Sequence, residues 1–181
     1  AALKAAGYRT LTTAMDGASD RLRQLLDRKA KIRHLEQAAE LTRAHGIARL
    51  KLYLMVGVPT ETDEDIDECA DLITRLSKRI PVSLAIAPFC AKRNTPLDGQ
   101  PFAGIKTVDA RLTRLRRGLK GRADVRATSA RWAWVEYEIS QGSQAHGKAV
   151  YDAVVAGGRF QHYKAALKLI EAPKRRSLLI R

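Results

Sequence analysis

The chain has 181 residues, 45% of them hydrophobic, and a formal net charge of +14. That length supports a sizeable core. No apolar run reaches membrane-span length and no charged start leads into a signal-peptide-like stretch, so the reading is a cytoplasmic globular protein with no membrane partner. The basic balance points to nucleic acid, an acidic protein surface or another polyanion.

Residues 1–7 read as the end of a helix with Gly7 at its C-terminal cap. The chain begins without Met, as a processed chain or an excerpt of a longer one would. Residues 8–13 predict a short Thr-rich strand. A loop, A-M-D-G-A, follows, and Ser19 caps a helix S-D-R-L-R-Q-L-L-D-R-K. A second helix covers residues 31–45, with Ile32, Leu35, Ala38 and Ala39 inward and Gly46 as its stop. Next comes R-L-K-L-Y-L-M-V-G-V-P-T-E-T, residues 49–62. Its aliphatic run reads as a buried parallel strand. Gly57 and Pro59 turn the chain, and Thr62 with Asp65 forms a capping box for a helix ending near Lys78. V-S-L-A-I-A-P, residues 82–88, is a third strand.

Residues 89–105 read as a long loop, a kind of connection that is often functional. Thr107 caps a basic helix ending near Gly118, and D-V-R-A-T is a candidate fourth short strand. Ser129 opens a helix containing Trp132, Trp134, Val135 and Tyr137, broken by Gly142. Ser143 opens another, closed by Gly157 and Gly158. A last helix runs to about Leu169, and a basic K-R-R run follows Pro173. The expected division is residues 1–105, α/β with three parallel strands, and residues 106–181, a basic and mostly helical extension. Three parallel strands leave two open edges. Either neighbouring strands lie outside this chain or a second molecule covers an edge, as in an edge-mediated dimer.

The two cysteines are too few for a cysteine-only zinc or iron–sulfur site. Cys69 shares a helix face with Ile66, Ile73 and Leu76 and reads as core; Cys90 follows the third strand. The histidines, His34, His45, His146 and His162, fall on or beside helices without metal-ligand spacing. No metal ligand and no catalytic residue is assigned. Polar groups instead gather after the strands: Asp16 and Ser19 after the first, Glu61 after the second, Cys90, Lys92, Arg93 and Asn94 after the third. The C-terminal ends of parallel strands share one edge of the sheet, where ligands bind. An acidic residue there can accept ribose hydroxyls or an ammonium group. Backbone at Gly57 and Pro88 can approach a flat ring. The pattern suits a nucleoside-like ligand. The plainer role for Glu61 is to complement the N-terminus of the following helix.

Three stretches resemble one family. T-L-T-T-A-M-D-G-A-S-D-R-L, K-L-Y-L-M-V-G-V-P-T-E-T and I-A-P-F-C-A-K-R-N-T-P-L are similar, in that order, to segments of radical S-adenosylmethionine enzymes. The group they resemble most carries a cobalamin-binding domain ahead of the radical domain. The resemblance implies a partial TIM barrel, the three strands being its fourth, fifth and sixth. It also implies an S-adenosylmethionine site that uses Asp16, Ser19 and Arg21, with Met55 and Gly57 on the adenine side, Glu61 in the turn, and Pro88 and Phe89 flanking the adenine. Asp16 stands where the family has Glu, and Ala18 where it has Gly. The C-x-x-x-C-x-x-C loop that holds the family's [4Fe-4S] cluster is absent from the sequence. The resemblance therefore implies the C-terminal part of a longer enzyme of unknown substrate, inactive alone, whose partner is its own N-terminal half. The cluster, and cobalamin where it is used, would belong to the full-length protein. The alternative is a basic RNA- or protein-binding module derived from such a barrel; the basic helix favours it.

Overall fold

A computed structural model describes residues 1–170; the K-R-R run after Pro173 lies outside them. In chain order the elements are α1 (Ala2–Ala5), β1 (Thr10–Asp16), α2 (Asp20–Leu25), α3 (Ile32–Ala44), β2 (Arg49–Val56), α4 (Asp63–Ser77), β3 (Val82–Pro88) and α5 (Ile105–Leu119). They continue with β4 (Asp124–Ala127), α6 (Ala130–Ser140), α7 (Gln144–Val155) and α8 (Phe160–Lys168). The chain divides into two compact units. One comprises residues 1–88 and 106–128; the other comprises residues 89–105 and, among the described residues, 129–170.

In the first unit, period-two alternation builds the sheet. Leu50, Leu52, Leu54 and Val56 of β2 and Val82, Leu84 and Ile86 of β3 are buried on one face. α3 packs on β2 and α4 on β3. The fully buried Ile66, Cys69, Ile73 and Leu76 form the inward stripe of α4. The strands are all parallel, in the order β1-β2-β3-β4. D-V-R-A-T thus supplies a fourth parallel strand beyond the three expected. It pairs with Ser83 to Ile86 of β3.

Three boundaries differ from expectation. β1 runs on to Asp16, because a bulge between Ala14 and Asp16 lets the strand absorb part of A-M-D-G-A. α2 stops at Leu25, and Asp27 turns the chain with φ 50. Thr107 lies inside α5 and does not cap it, since the helix already begins at Ile105. α5, placed with the helical extension on sequence grounds, packs within the first unit. Its Arg114 pairs with Asp63 and Asp67 of α4 at 2.8 and 2.6 Å. Where the two helices meet, Gly118 has no side chain; a Cβ there would lie 2.8 Å from the Ala70 Cβ.

In the second unit, Val135, Ala149 and Leu167 form a small core. Trp134, Phe160, Tyr163, Ala166 and Ile170 pack around it. Trp132 meets Phe160 and Tyr163 edge to face. The stretch before α5 is stitched to α6. Lys92 binds Glu136 and Ser140, Arg93 donates to the Gln141 carbonyl at 2.9 Å, and Gln141 Nε2 donates to the Ala91 carbonyl at 3.0 Å.

Candidate functional site

The first strand ends in a constrained turn. Asp16 takes φ 56 just after the bulge, and buried Met15 occupies the extra place. Gly17 follows, where a Cβ would stand 2.6 Å from the Arg23 backbone nitrogen, so only glycine lets α2 start this close. Arg23 is fully buried and donates to the Gly17 carbonyl at 3.3 Å. The Asp16 carboxylate sits 2.6 Å from Arg28 Nε and stays 27% exposed, so it remains open to a ligand.

The second strand ends at Gly57, with φ 78, and Thr60 also takes a positive φ of 64. A β-branched residue is strained in that region. Arg21 holds it, donating to Thr60 Oγ1 at 3.1 Å and to the Thr60 carbonyl at 2.9 Å. The same guanidinium lies 2.5 Å from Asp65 Oδ2. Asp65 also accepts from Ser19 Oγ at 2.5 Å and from the Thr62 N–H at 2.7 Å. Burial opposes ionisation of Asp65, but the bonds from Ser19, Thr62 and Arg21 outweigh it and hold its pKa below the ordinary value. Ser19, Arg21 and Asp65 thus clamp the turn after β1 to the turn after β2.

Glu61 closes its own turn. Its Oε2 accepts from the Gly57 N–H at 2.7 Å and lies 2.9 Å from Arg111 Nη1 of α5; Arg111 Nη2 donates to the Glu61 carbonyl. The carboxylate is buried, and no hydrogen-bond partner for its Oε1 exists among the described residues. Burial pushes its pKa up to about 7, against the lowering effect of the Gly57 N–H and Arg111. A buried carboxyl poised near neutrality can hold or release a proton there.

β3 ends at Pro88, the register partner of Val56. Pro88 is buried. Phe89 is also buried and begins the second unit. Met55 is half-buried on β2. The structure therefore brings Asp16, Ser19, Arg21, Gly57 and Glu61 to the C-terminal ends of β1 and β2. Of these, Ser19 and the Glu61 Oε2 are engaged in internal bonds, while Asp16 and Arg21 keep accessible surface. Lys92 and Arg93, grouped with them by topology, bind α6 instead. Cys90 Sγ donates to the Ala133 carbonyl at 3.1 Å, and burial raises its pKa to about 11. Burial raises that of Cys69 to about 12. His34, His146 and His162 each accept a backbone N–H at the start of their own helix, at 3.2, 3.0 and 3.3 Å. Among the described residues, no group of three or more His, Cys, Asp or Glu could hold a metal ion. The residues present do not fit a [4Fe-4S] cluster. No helix among them is long and apolar enough to cross a membrane.

Two residues of the site were missed in the sequence. Asp65 is legible there only as half of a capping box, because Ser19 lies 46 positions away. Arg111 has no local signal at all; the chain brings it to Glu61 from 50 positions on.

Residues 1–73 match the Radical SAM superfamily. That stretch contains β1, α2, α3, β2 and most of α4, and so both clamped turns. An uncharacterized protein of Methanocaldococcus jannaschii is 37% identical over 95 residues, which is 52% of this chain and 21% of that protein. The aligned stretch spans about a fifth of the relative's length.

Proposed function

We propose that this chain is the C-terminal portion of a cytoplasmic radical S-adenosylmethionine enzyme, part of its barrel, and that it contributes part of the S-adenosylmethionine site. What carries the reading is one coincidence. The family match covers the two strands whose C-terminal ends are clamped together by Ser19, Arg21 and Asp65. Bound there, S-adenosylmethionine supplies the adenosyl group for the family's chemistry. Asp16 would accept a ribose hydroxyl or the ammonium group. Met55, Gly57 and Pro88 would line the adenine. Glu61 keeps the G-V-P-T-E-T turn in shape through its Oε2, with its Oε1 left in the turn beside the adenine. The two cysteines cannot supply the cluster's ligands, which leaves that role, and any cobalamin, to an N-terminal half of the same enzyme.

The test is anaerobic reconstitution with iron and sulfide, followed by assay for 5′-deoxyadenosine. The 181-residue chain should give none, and a longer chain that carries the cysteine loop should give it. Titration of S-adenosylmethionine into that longer chain should weaken on Asp16→Ala. Cluster formation and ligand cleavage by the 181 residues alone would overturn the reading.

The rival reading, a basic RNA-binding module, loses part of its support. Arg114 of the basic helix is paired within the fold with Asp63 and Asp67, and Arg111 turns inward onto Glu61.

A further inference from the structure

The chain enters each strand of the first unit through a connection of four residues: 6–9 before β1, 45–48 before β2, 78–81 before β3 and 120–123 before β4. Because the strands are parallel, the four connections meet at the N-terminal end of the sheet, away from the clamped turns. Backbone bonds set them side by side. The Ala48 N–H donates to the Arg9 carbonyl and the Leu50 N–H to the Pro81 carbonyl, both at 3.0 Å. Asp124 is in register with Ser83, which places the fourth connection beside the third. Neighbouring strands stand about 4.8 Å apart, so the row spans roughly 15 Å. Further strands would pair beside β1 or β4 and leave this end open.

The connections are one-sided in charge. A-G-Y-R, H-G-I-A, K-R-I-P and K-G-R-A hold Arg9, Lys78, Arg79, Lys120 and Arg122, all exposed, and no carboxylate. At the other end of the strands stand Asp16, Asp20, Asp63 and Glu64. Arg79 meets Glu40 at 3.5 Å; among the described residues the other four cations have no ion pair. The helix dipoles of α3, α4 and α5 account for Arg43, Arg75, Arg116 and Arg117 in their last turns. They do not account for Arg9 and Arg122, which precede β1 and β4 within two residues. Like charges crowded on one surface repel, and a polyanion relieves that cost. Two observations choose among polyanions. Ile47 and Ile80 are buried, so the connections present no aliphatic anchors of the kind that enter a lipid surface. Tyr8, the one aromatic in them, is 57% exposed and adjoins Arg9. An exposed ring beside arginine suits an unstacked base whose phosphates the cations hold.

We propose that the N-terminal end of this sheet docks single-stranded nucleic acid, its phosphates along Arg9, Lys78, Lys120 and Arg122 and one base on Tyr8. The surface is assembled from four separate connections, of which the basic stretch around α5 supplies one. It lies at the far end of the strands from the clamped turns and does not rest on the S-adenosylmethionine reading.

The test is fluorescence-anisotropy titration of the 181-residue chain with labelled oligouridylate and oligothymidylate of about 12 nucleotides. Both should bind with a dissociation constant on the order of 1–100 μM at low salt, weakening about tenfold or more as salt rises from about 50 to 200 mM. The tighter of the two identifies the sugar. Arg9→Gln with Arg122→Gln should weaken binding about tenfold and flatten the salt dependence. Tyr8→Ala should weaken it about fivefold, and Tyr8→Phe should retain it. Lys164→Gln with Lys168→Gln removes two exposed charges from the second unit and should change little, which separates docking here from attraction to net charge. The substituted side chains are exposed, and unchanged melting temperatures would confirm that the variants fold. No binding of either oligonucleotide, equal losses from the two double variants, loss only on neutralising Lys174, Arg175 and Arg176, or tighter binding to polyglutamate or anionic vesicles would overturn the proposal.

Discussion

Arg111 grips Glu61 at two points, its Nη1 2.9 Å from the carboxylate and its Nη2 on the backbone carbonyl. One side chain of α5 thus fixes both the shape of the turn after β2 and the charge inside it. Truncating the arginine leaves a buried carboxyl and a backbone carbonyl short of a donor. Arg111→Leu should destabilise the chain by about 2–4 kcal/mol. The double variant Arg111→Leu with Glu61→Gln should cost less than the sum of the single variants, a coupling that a chemical-denaturation cycle measures.

The pH dependence of stability follows from the same carboxyl. Glu61 has a folded pKa of about 7 against 4.5 for the free group, because burial disfavours its charge. Between those values the folded chain binds the extra proton, so this group's contribution to stability falls as pH rises from 4.5 towards 7 and levels off above. Denaturation midpoints recorded across that window should show the decline. Glu61→Gln should flatten it, and a decline of unchanged slope in the variant would exclude Glu61 as its source.

Asp65 behaves in the opposite sense. Its pKa is depressed in the fold, so the stability it contributes is present above the unfolded value and is lost as pH falls through the folded one. Asp65→Asn keeps the shape and removes the charge that Arg21, Ser19 and Thr62 address. It should cost about 1–3 kcal/mol at neutral pH, with little cost once the wild-type carboxyl is itself protonated. Melting curves of both proteins across the acid range test this.

The cysteines should report opening of the fold. Cys69 is wholly buried with its thiol pushed to about 12, and Cys90 is half-buried with its thiol at about 11. Under native conditions a maleimide should label Cys90 slowly and Cys69 scarcely at all. Added denaturant should accelerate Cys69 in step with global unfolding. Peptide mass spectrometry after timed labelling distinguishes the two, and faster native labelling of Cys69 would contradict its place in the core.

Much of this was legible in the sequence, for identifiable reasons. β3 ends at Pro88, which marks its own position in the sequence, and the Thr62–Asp65 capping box is a local signal. β2 was read as buried on both sides because its aliphatic run is dense. The alternation K-L-Y-L-M-V already carried a period of two and an open face, and the density masked it. The bulge at the end of β1 left no trace, because it depends on the register with β2, which a single strand does not encode. α5 was assigned by its charge to a solvated extension. Its apolar residues Val108, Leu112, Leu115 and Leu119, spaced four, three and four apart, are all buried and tie it to the first unit.

The contact between Gly118 and Ala70 also constrains the routes by which this chain can change. With a methyl at position 70, any side chain at 118 would start 2.8 Å from it, well inside contact distance. Gly118→Ala is therefore barred while Ala70 stands. After Ala70→Gly the same change becomes admissible, with the methyl moved from α4 to α5. The two substitutions are acceptable in one order and not in the other. Descendants of this sequence should therefore hold a glycine at one position or the other, and the trace of the helix–helix contact would be a rule of succession between two sites that neither residue displays alone.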